Sequence, residues 1–224
     1  MRKLISGITD FRRRLLPCDK ESFAKLALGQ TPDALFIACS DSRVVPNLFA
    51  STNPGDLFVV RNVGNMIPPC RENGCSVGDK SEAAAIEFSL LNLNVSSIVI
   101  CGHSECGAMK SLIEKHDHAQ SPNLRSWLQY GERSLKKYQE QDISFLNKKS
   151  LLPHNQLSQI NVLEQKINLE SYPAVQVRLQ EGRLRIYCWW FDIAAASVYS
   201  FHESKKQFVL LDEEEAERLL SLMK

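Results

Sequence analysis

Several short stretches of this chain are apolar at nearly every position instead of at alternate ones. They cover 35–39 and 57–61, and later 97–101 and much of 183–192. Unbroken apolar runs of this length are the pattern of strands covered on both faces, as in a parallel sheet. The segments between them carry apolar residues at helical spacing. A helix is predicted over 10–28, broken near Pro17, with Phe11, Leu15, Leu16, Phe23, Leu26 and Leu28 as its apolar positions. Further helices are predicted over 79–93, 106–116, 124–138 and 157–169. The stretches 197–201 and 208–211 read as an antiparallel hairpin, and 212–223 as a closing helix with acids in its favourable first turn. Gly29-Gln30-Thr31-Pro32 punctuates the chain, and 68–78 is a loop rich in Pro, Gly and Cys.

Strands alternating with helices predict an α/β fold. The expected architecture is a mostly parallel central sheet of about four strands, with an antiparallel edge strand, flanked by helices. With no repeat or clear linker, residues 1–224 read as one domain with an N-terminal helical arm at about 1–28.

Composition narrows the function classes. A formal net charge of +1 gives no global field for nucleic acid or an anionic membrane. Arg12-Arg13-Arg14 is too short to change this and reads as a solvated helix face. No stretch approaches the roughly 18 apolar residues of a membrane span, and the N-terminus lacks the apolar core of a leader. Seven cysteines without secreted spacing suit reduced thiols and a cytoplasmic location.

The chemistry gathers at two strand ends. Cys39-Ser40-Asp41-Ser42-Arg43 follows the first apolar run, and His103-Ser104-Glu105-Cys106 follows the third. In open α/β sheets ligands collect at the carboxyl ends of strands, so neighbouring strands would bring Cys39, His103 and Cys106 together. Two thiolates and an imidazole form a three-ligand zinc set, and a site one protein ligand short keeps a place for water or substrate. Cys106 stands where a helix begins, which favours its thiolate. Asp41 and Arg43 are expected at the same mouth. Asp41 could orient a nucleophile while held by Arg43, or could itself fill the fourth position on the metal. A plain loop salt bridge with an Asx turn is the structural alternative. Cys101 and Cys188 read as core, Cys18 as exposed, and Cys70 and Cys75 as loop cysteines without a second metal motif. His116, His118, His154 and His202 read as surface residues.

At these residues the chain resembles the β-class carbonic anhydrases. The resemblance rests on Ala38-Cys39-Ser40-Asp41-Ser42-Arg43, Pro54-Gly55-Asp56, Arg61-Asn62-Val63-Gly64-Asn65, Ala84-Ala85-Ile86-Glu87-Phe88 and Gly102-His103-Ser104-Glu105-Cys106-Gly107. Asn161-Val162-Leu163-Glu164-Gln165 and Gly182-Arg183-Leu184 are similar to the family as well. The resemblance implies reversible hydration of carbon dioxide to bicarbonate, with one zinc per chain on Cys39, His103 and Cys106 and an Asp41–Arg43 dyad beside it. It also implies a homodimer or dimer of dimers with the active site at the subunit interface.

Gln30 would reach the substrate, from the partner chain, and Phe58, Val63 and Phe88 would line an apolar pocket. Phe36 and Ala38 replace the Trp and Gly of the family's closed subgroup, which places the chain with the open-site kind. In that kind Asp41 ligates the metal only in a closed state. Phe88 stands where that subgroup often has Tyr. Three other readings compete: hydrolysis of CS₂ or COS on the same scaffold, a cysteine phosphatase, and a silent zinc scaffold or redox sensor. The phosphatase spacing places Arg six residues after Cys, against four here.

Overall fold

Parallel pairing of the apolar runs builds the sheet that carries the site. The structure, a computed structural model, describes residues 1–78, 80–114, 120–140 and 151–222. The chain divides into two units, Met1–Thr31 and Pro32–Lys224.

The first unit contains α1 (Arg2–Arg14) and α2 (Pro17–Leu26). Pro17 starts the second helix, where its missing N–H costs nothing. The Asp19 carboxylate accepts from the Leu16 N–H at 2.8 Å and caps that end. Phe11 and Phe23 meet edge to face with centroids 6.1 Å apart.

In the second unit the described residues form a six-stranded sheet. The strands are β1 (Ala34–Cys39), β2 (Leu57–Asn62), β3 (Ser97–His103), β4 (Arg185–Asp192), β5 (Ser197–His202) and β6 (Gln207–Leu210). Their spatial order is β2-β1-β3-β4-β5-β6. The first four are mutually parallel, and β5 and β6 add antiparallel. The sheet therefore has four parallel strands as expected, and the expected hairpin over 197–201 and 208–211 supplies its antiparallel edge as β5 and β6.

Alternate β1 residues serve opposite faces. Leu35 and Ile37 join Ile98, Ile100, Val162, Leu169 and Tyr172 on one side. Phe36 and Ala38 join Val99, Cys101 and Phe191 on the other. β2 departs from the expectation of a strand buried on both faces. It lies at the sheet edge, and Val59 is 38% exposed. An apolar run reads the same in a central strand and in an edge strand, so pattern alone could not separate them.

The helices of this unit are α3 (Pro46–Phe49), α4 (Lys80–Leu91), α5 (Gly107–Glu114), α6 (Pro122–Leu128), α7 (Glu132–Gln139), α8 (Pro153–Glu170), α9 (Pro173–Gln180) and α10 (Glu213–Ser221). The single helix expected over 124–138 is two, joined by a 3-10 turn at Gln129–Gly131. α3 and α9 were not foreseen; each is short and begins at a proline. α8 runs against the carboxyl end of β3 by way of Gly102. A Cβ there would stand 2.7 Å from Val162 Cγ2 and 3.2 Å from the Ser158 carbonyl.

Cys101 and Cys188 are core residues as expected, and burial raises both thiols, Cys188 to about 12. His202 is buried, contrary to the surface expectation. His154 is also drawn inward, with a side chain only 17% exposed. His116 and His118 lie outside the described residues. No helix among the described residues is long and apolar enough to cross a membrane.

Candidate metal centre

β1 and β3 are direct neighbours, with Ala38 opposite Cys101. Their carboxyl ends therefore present Cys39 and His103 side by side, and the turn into α5 adds Cys106. The ligand atoms of these three buried residues all lie within 4.8 Å of one another. One ion at about 2.0–2.3 Å from each atom requires such closeness.

His103 is already set for a metal. Its Nδ1 lies 2.8 Å from the Ser104 carbonyl. A carbonyl only accepts, so Nδ1 carries the proton and Nε2 keeps its lone pair. That Nε2 is buried and has no hydrogen-bond partner. A buried acceptor left without a partner is costly in any fold that does not use it. Zinc ligation by imidazole uses this tautomer, with the other ring nitrogen bonded to a carbonyl or carboxylate. The residues present fit the metal.

The two thiols move each other's acidity in opposite directions. Cys39 is pushed down to about 4, chiefly by the hydrogen bond from Cys106, with the Gly64 N–H helping against burial. Cys106 is pushed up by that same bond and by burial. A divalent cation would hold both as thiolates, because a coordinating thiol is deprotonated.

Arg43 binds Asp41 in a fork, with Nε to Oδ1 at 2.9 Å and Nη2 to Oδ2 at 2.7 Å. The Arg43 N–H also donates to Oδ1 at 3.0 Å, closing an Asx turn. The side-chain bond from Arg43 is the main reason that the Asp41 carboxyl lies well below the usual carboxylate range. Asp41 is not among the three clustered ligand residues.

The loop from His103 to Cys106 is held from several sides. Glu105 adopts a left-handed backbone with φ of +58°. For a residue other than glycine this costs about 1–3 kcal/mol. Its N–H donates to Asn155 Oδ1 at 2.7 Å, and its carbonyl accepts from Arg43 Nη2 at 3.1 Å. Its carboxylate accepts from Lys110 and from His154, which together bring its pKa to about 2.

A sequence profile described as carbonic anhydrase matches residues 34–198. The carbonic anhydrase of Synechococcus elongatus is 37% identical over 218 residues, 95% of this chain and 76% of its own length. That of Pseudomonas aeruginosa is 36% identical over 215 residues, covering 95% and 93%. The solved β-carbonic anhydrase CcaA superposes with a TM-score of 0.84 at 34% identity, covering 95% of this chain and 92% of that one. The chain belongs to the β-class carbonic anhydrases. Structures described as two tetrameric β-carbonic anhydrases from Sordaria macrospora give a TM-score of 0.75 at 27% identity, covering 89% and 95%.

Within this β-class chain, the other expected site residues fall in different places. Val63 is tied to the metal cluster through the next residue, since the Gly64 N–H points at Cys39 Sγ over 3.4 Å. Phe58 and Phe88 pack on each other with centroids 5.8 Å apart. Phe58 also packs against the core cluster of Leu35 and Ile37, and Phe88 is 41% exposed. Gln30 belongs to the Met1–Thr31 unit.

Sequence reasoning missed two residues that build this centre. Arg61 donates to the carbonyls of Cys39, at 3.0 Å, and of Asp41, at 2.5 Å. It thereby fixes the loop that presents both. Its signal was its place in the Arg61-Asn62 motif, which reads as strand pattern when taken alone. Asn155 holds Glu105 from 50 residues away, and no local pattern marks it.

Proposed function

We propose that this chain catalyses the reversible hydration of carbon dioxide to bicarbonate and a proton, with one zinc ion held by Cys39, His103 and Cys106. The carrying observation is His103 Nε2, buried without a hydrogen-bond partner and clustered with the Cys39 and Cys106 thiols. Zinc in such a place supplies Lewis acidity and an acidified water, behaviour for which carbonic anhydrase is itself the standard example.

The chain's own residues supply the rest. Asp41, kept ionised by Arg43, is an acceptor only. Its carboxylate takes a hydrogen bond from the attacking water and turns the oxygen lone pair toward the substrate carbon. Val63, Phe58 and Phe88 exclude water from a small apolar pocket suited to a linear, nonpolar molecule. The Gln30 amide orients a substrate oxygen, reaching it from a partner chain. The working unit is accordingly a homodimer or dimer of dimers, and the resting site is open, with Asp41 on Arg43. All seven cysteines are free, which suits a reducing cytoplasm.

Stopped-flow CO₂ hydration and metal analysis on one preparation test this reading. The wild type should hold stoichiometric zinc and turn over. Cys39→Ser and His103→Ala should lose zinc and activity together, and full zinc with full activity in either would refute the ligand set. Sulfide release from CS₂ or COS without CO₂ hydration would replace the substrate assignment. A zinc-loaded protein inert between about pH 7 and 9 would leave a scaffold. Light scattering that shows only monomer would remove the shared site.

A further inference from the structure

One peptide group links the indole of Trp127 to a zinc ligand. Trp127 lies on α6, and its Nε1 donates to the Val63 carbonyl at 2.7 Å. The same peptide continues into Gly64, whose N–H donates to Cys39 Sγ at 3.4 Å. The peptide is trans, so its C=O and N–H point in opposite directions. The indole holds one end of the peptide plane and the sulfur receives the other.

The position needs such a hold. Gly64 sits at φ +79°, and a Cβ there would stand 3.0 Å from Ala108 Cβ and 3.1 Å from Met66 Cε. Only glycine fits, and glycine has no side chain with which to fix its own peptides. The following peptide is pinned from elsewhere. Fully buried Asn161 donates through Nδ2 to the Gly64 carbonyl at 3.0 Å. Asn161 is itself set by Ser134 Oγ and Gln165 Nε2, each at 3.0 Å from its Oδ1. Of the two peptides that flank Gly64, one is thus fixed from α8 and the other from α6.

A structural alternative exists. Val63 is 42% exposed, so water could satisfy its carbonyl and leave the indole as mere packing. Two observations weigh against packing alone. The ring is held edge to face against Tyr130, with centroids 5.4 Å apart, which fixes the direction of its N–H. The ring also packs on the cluster that contains Cys39 and Cys106 themselves.

We propose that Trp127 is a positioning residue for the metal centre: through the Val63–Gly64 peptide it aims an N–H at Cys39 Sγ and so sets the donor strength of that thiolate. The inference rests on the zinc reading above. A peptide polarised at its carbonyl gives a stronger N–H bond, and that bond lowers the energy of the sulfur lone pairs. Residues that orient a metal ligand typically change affinity by about 10–100-fold when removed.

Trp127→Phe keeps an aromatic ring and deletes the N–H. Zinc affinity, measured by competition with a chelator, should weaken about tenfold. In the cobalt(II)-loaded protein the thiolate-to-metal charge-transfer band should move to longer wavelength, because the sulfur becomes the better donor. Packing alone would leave this band in place. Wild-type affinity together with an unmoved band in the variant overturns the proposal. A wild type that binds neither zinc nor cobalt defeats the zinc reading, and this proposal with it. Should Trp127→Phe fail to fold, the wild type labelled with ¹⁵N-tryptophan decides. The chain has three tryptophans, and the Trp127 indole resonance should shift on zinc loading. An indole signal that stays in place overturns the proposal.

Discussion

Arg43 grips Asp41 through two parallel hydrogen bonds, Nε to Oδ1 at 2.9 Å and Nη2 to Oδ2 at 2.7 Å. The same guanidinium reaches the Glu105 carbonyl at 3.1 Å, so one side chain joins the loop after β1 to the loop after β3. Cys39 and His103 are the last residues of those two strands. Arg43 therefore restrains Asp41 and ties together the two loops that leave the candidate ligands Cys39 and His103.

Arg43→Lys should be a severe change despite the retained charge, because an ammonium cannot reproduce a planar fork. We expect kcat/KM for CO₂ hydration to fall about 10–100-fold with zinc retained. Stopped-flow assays beside metal analysis check this. Near-normal turnover would show that the fork is an ordinary loop salt bridge.

Asn155→Leu deletes the acceptor for the Glu105 N–H. Asn155 is buried, so the orphaned donor should cost about 1–3 kcal/mol. It also frees a left-handed residue to relax, which would shift the Arg43 anchor. Urea unfolding should show the loss, and CO₂ hydration should decline beyond what the fraction folded explains.

Gly102→Ala tests the approach of α8 to β3. The new methyl would meet Val162 Cγ2 at 2.7 Å and the Ser158 backbone at 3.2 Å. Overpacking of this kind costs about 1–3 kcal/mol. A lowered urea midpoint with an unchanged slope is the expected result, and wild-type stability would contradict the tight contact.

Glu215 and Arg218 make a paired contact on α10, with Arg218 Nε 2.8 Å from Glu215 Oε2. The Arg218 hydrogen bond is the chief cause of a lowered Glu215 pKa. A carboxyl with a depressed folded pKa stabilises the fold above its unfolded value of about 4.3. That stabilisation is lost as pH falls through the folded pKa. Glu215→Gln should therefore lose stability near neutral pH and show a shallower decline of Tm on acidification below about pH 4.3. Thermal melts of both proteins across that range check the sign, and parallel curves would refute it.

The fold was legible where one strong pattern sufficed. The apolar runs at 35–39 and 97–101 became β1 and β3, and the helical spacing over 157–169 became most of α8. The three-ligand set was legible because its residue types are rare together at strand ends. Edge position, partner choice and the burial of His202 were not legible. Each depends on which distant residue arrives, and a local window holds no record of that.

By itself the sequence determined most of the elements, the i, i+3 pair His103 and Cys106, and the nearness of Asp41 to Arg43 two residues on. These follow from backbone periodicity and short-range reach. Only the tertiary structure decided that β1 and β3 are adjacent, which carries Cys39 to His103 across 64 residues of chain. It also decided that Arg61, Asn155 and Asn161 would serve backbone groups far from them in sequence. Strand order and buried polar pairing are settled by the fit of whole faces, where every buried donor must find an acceptor.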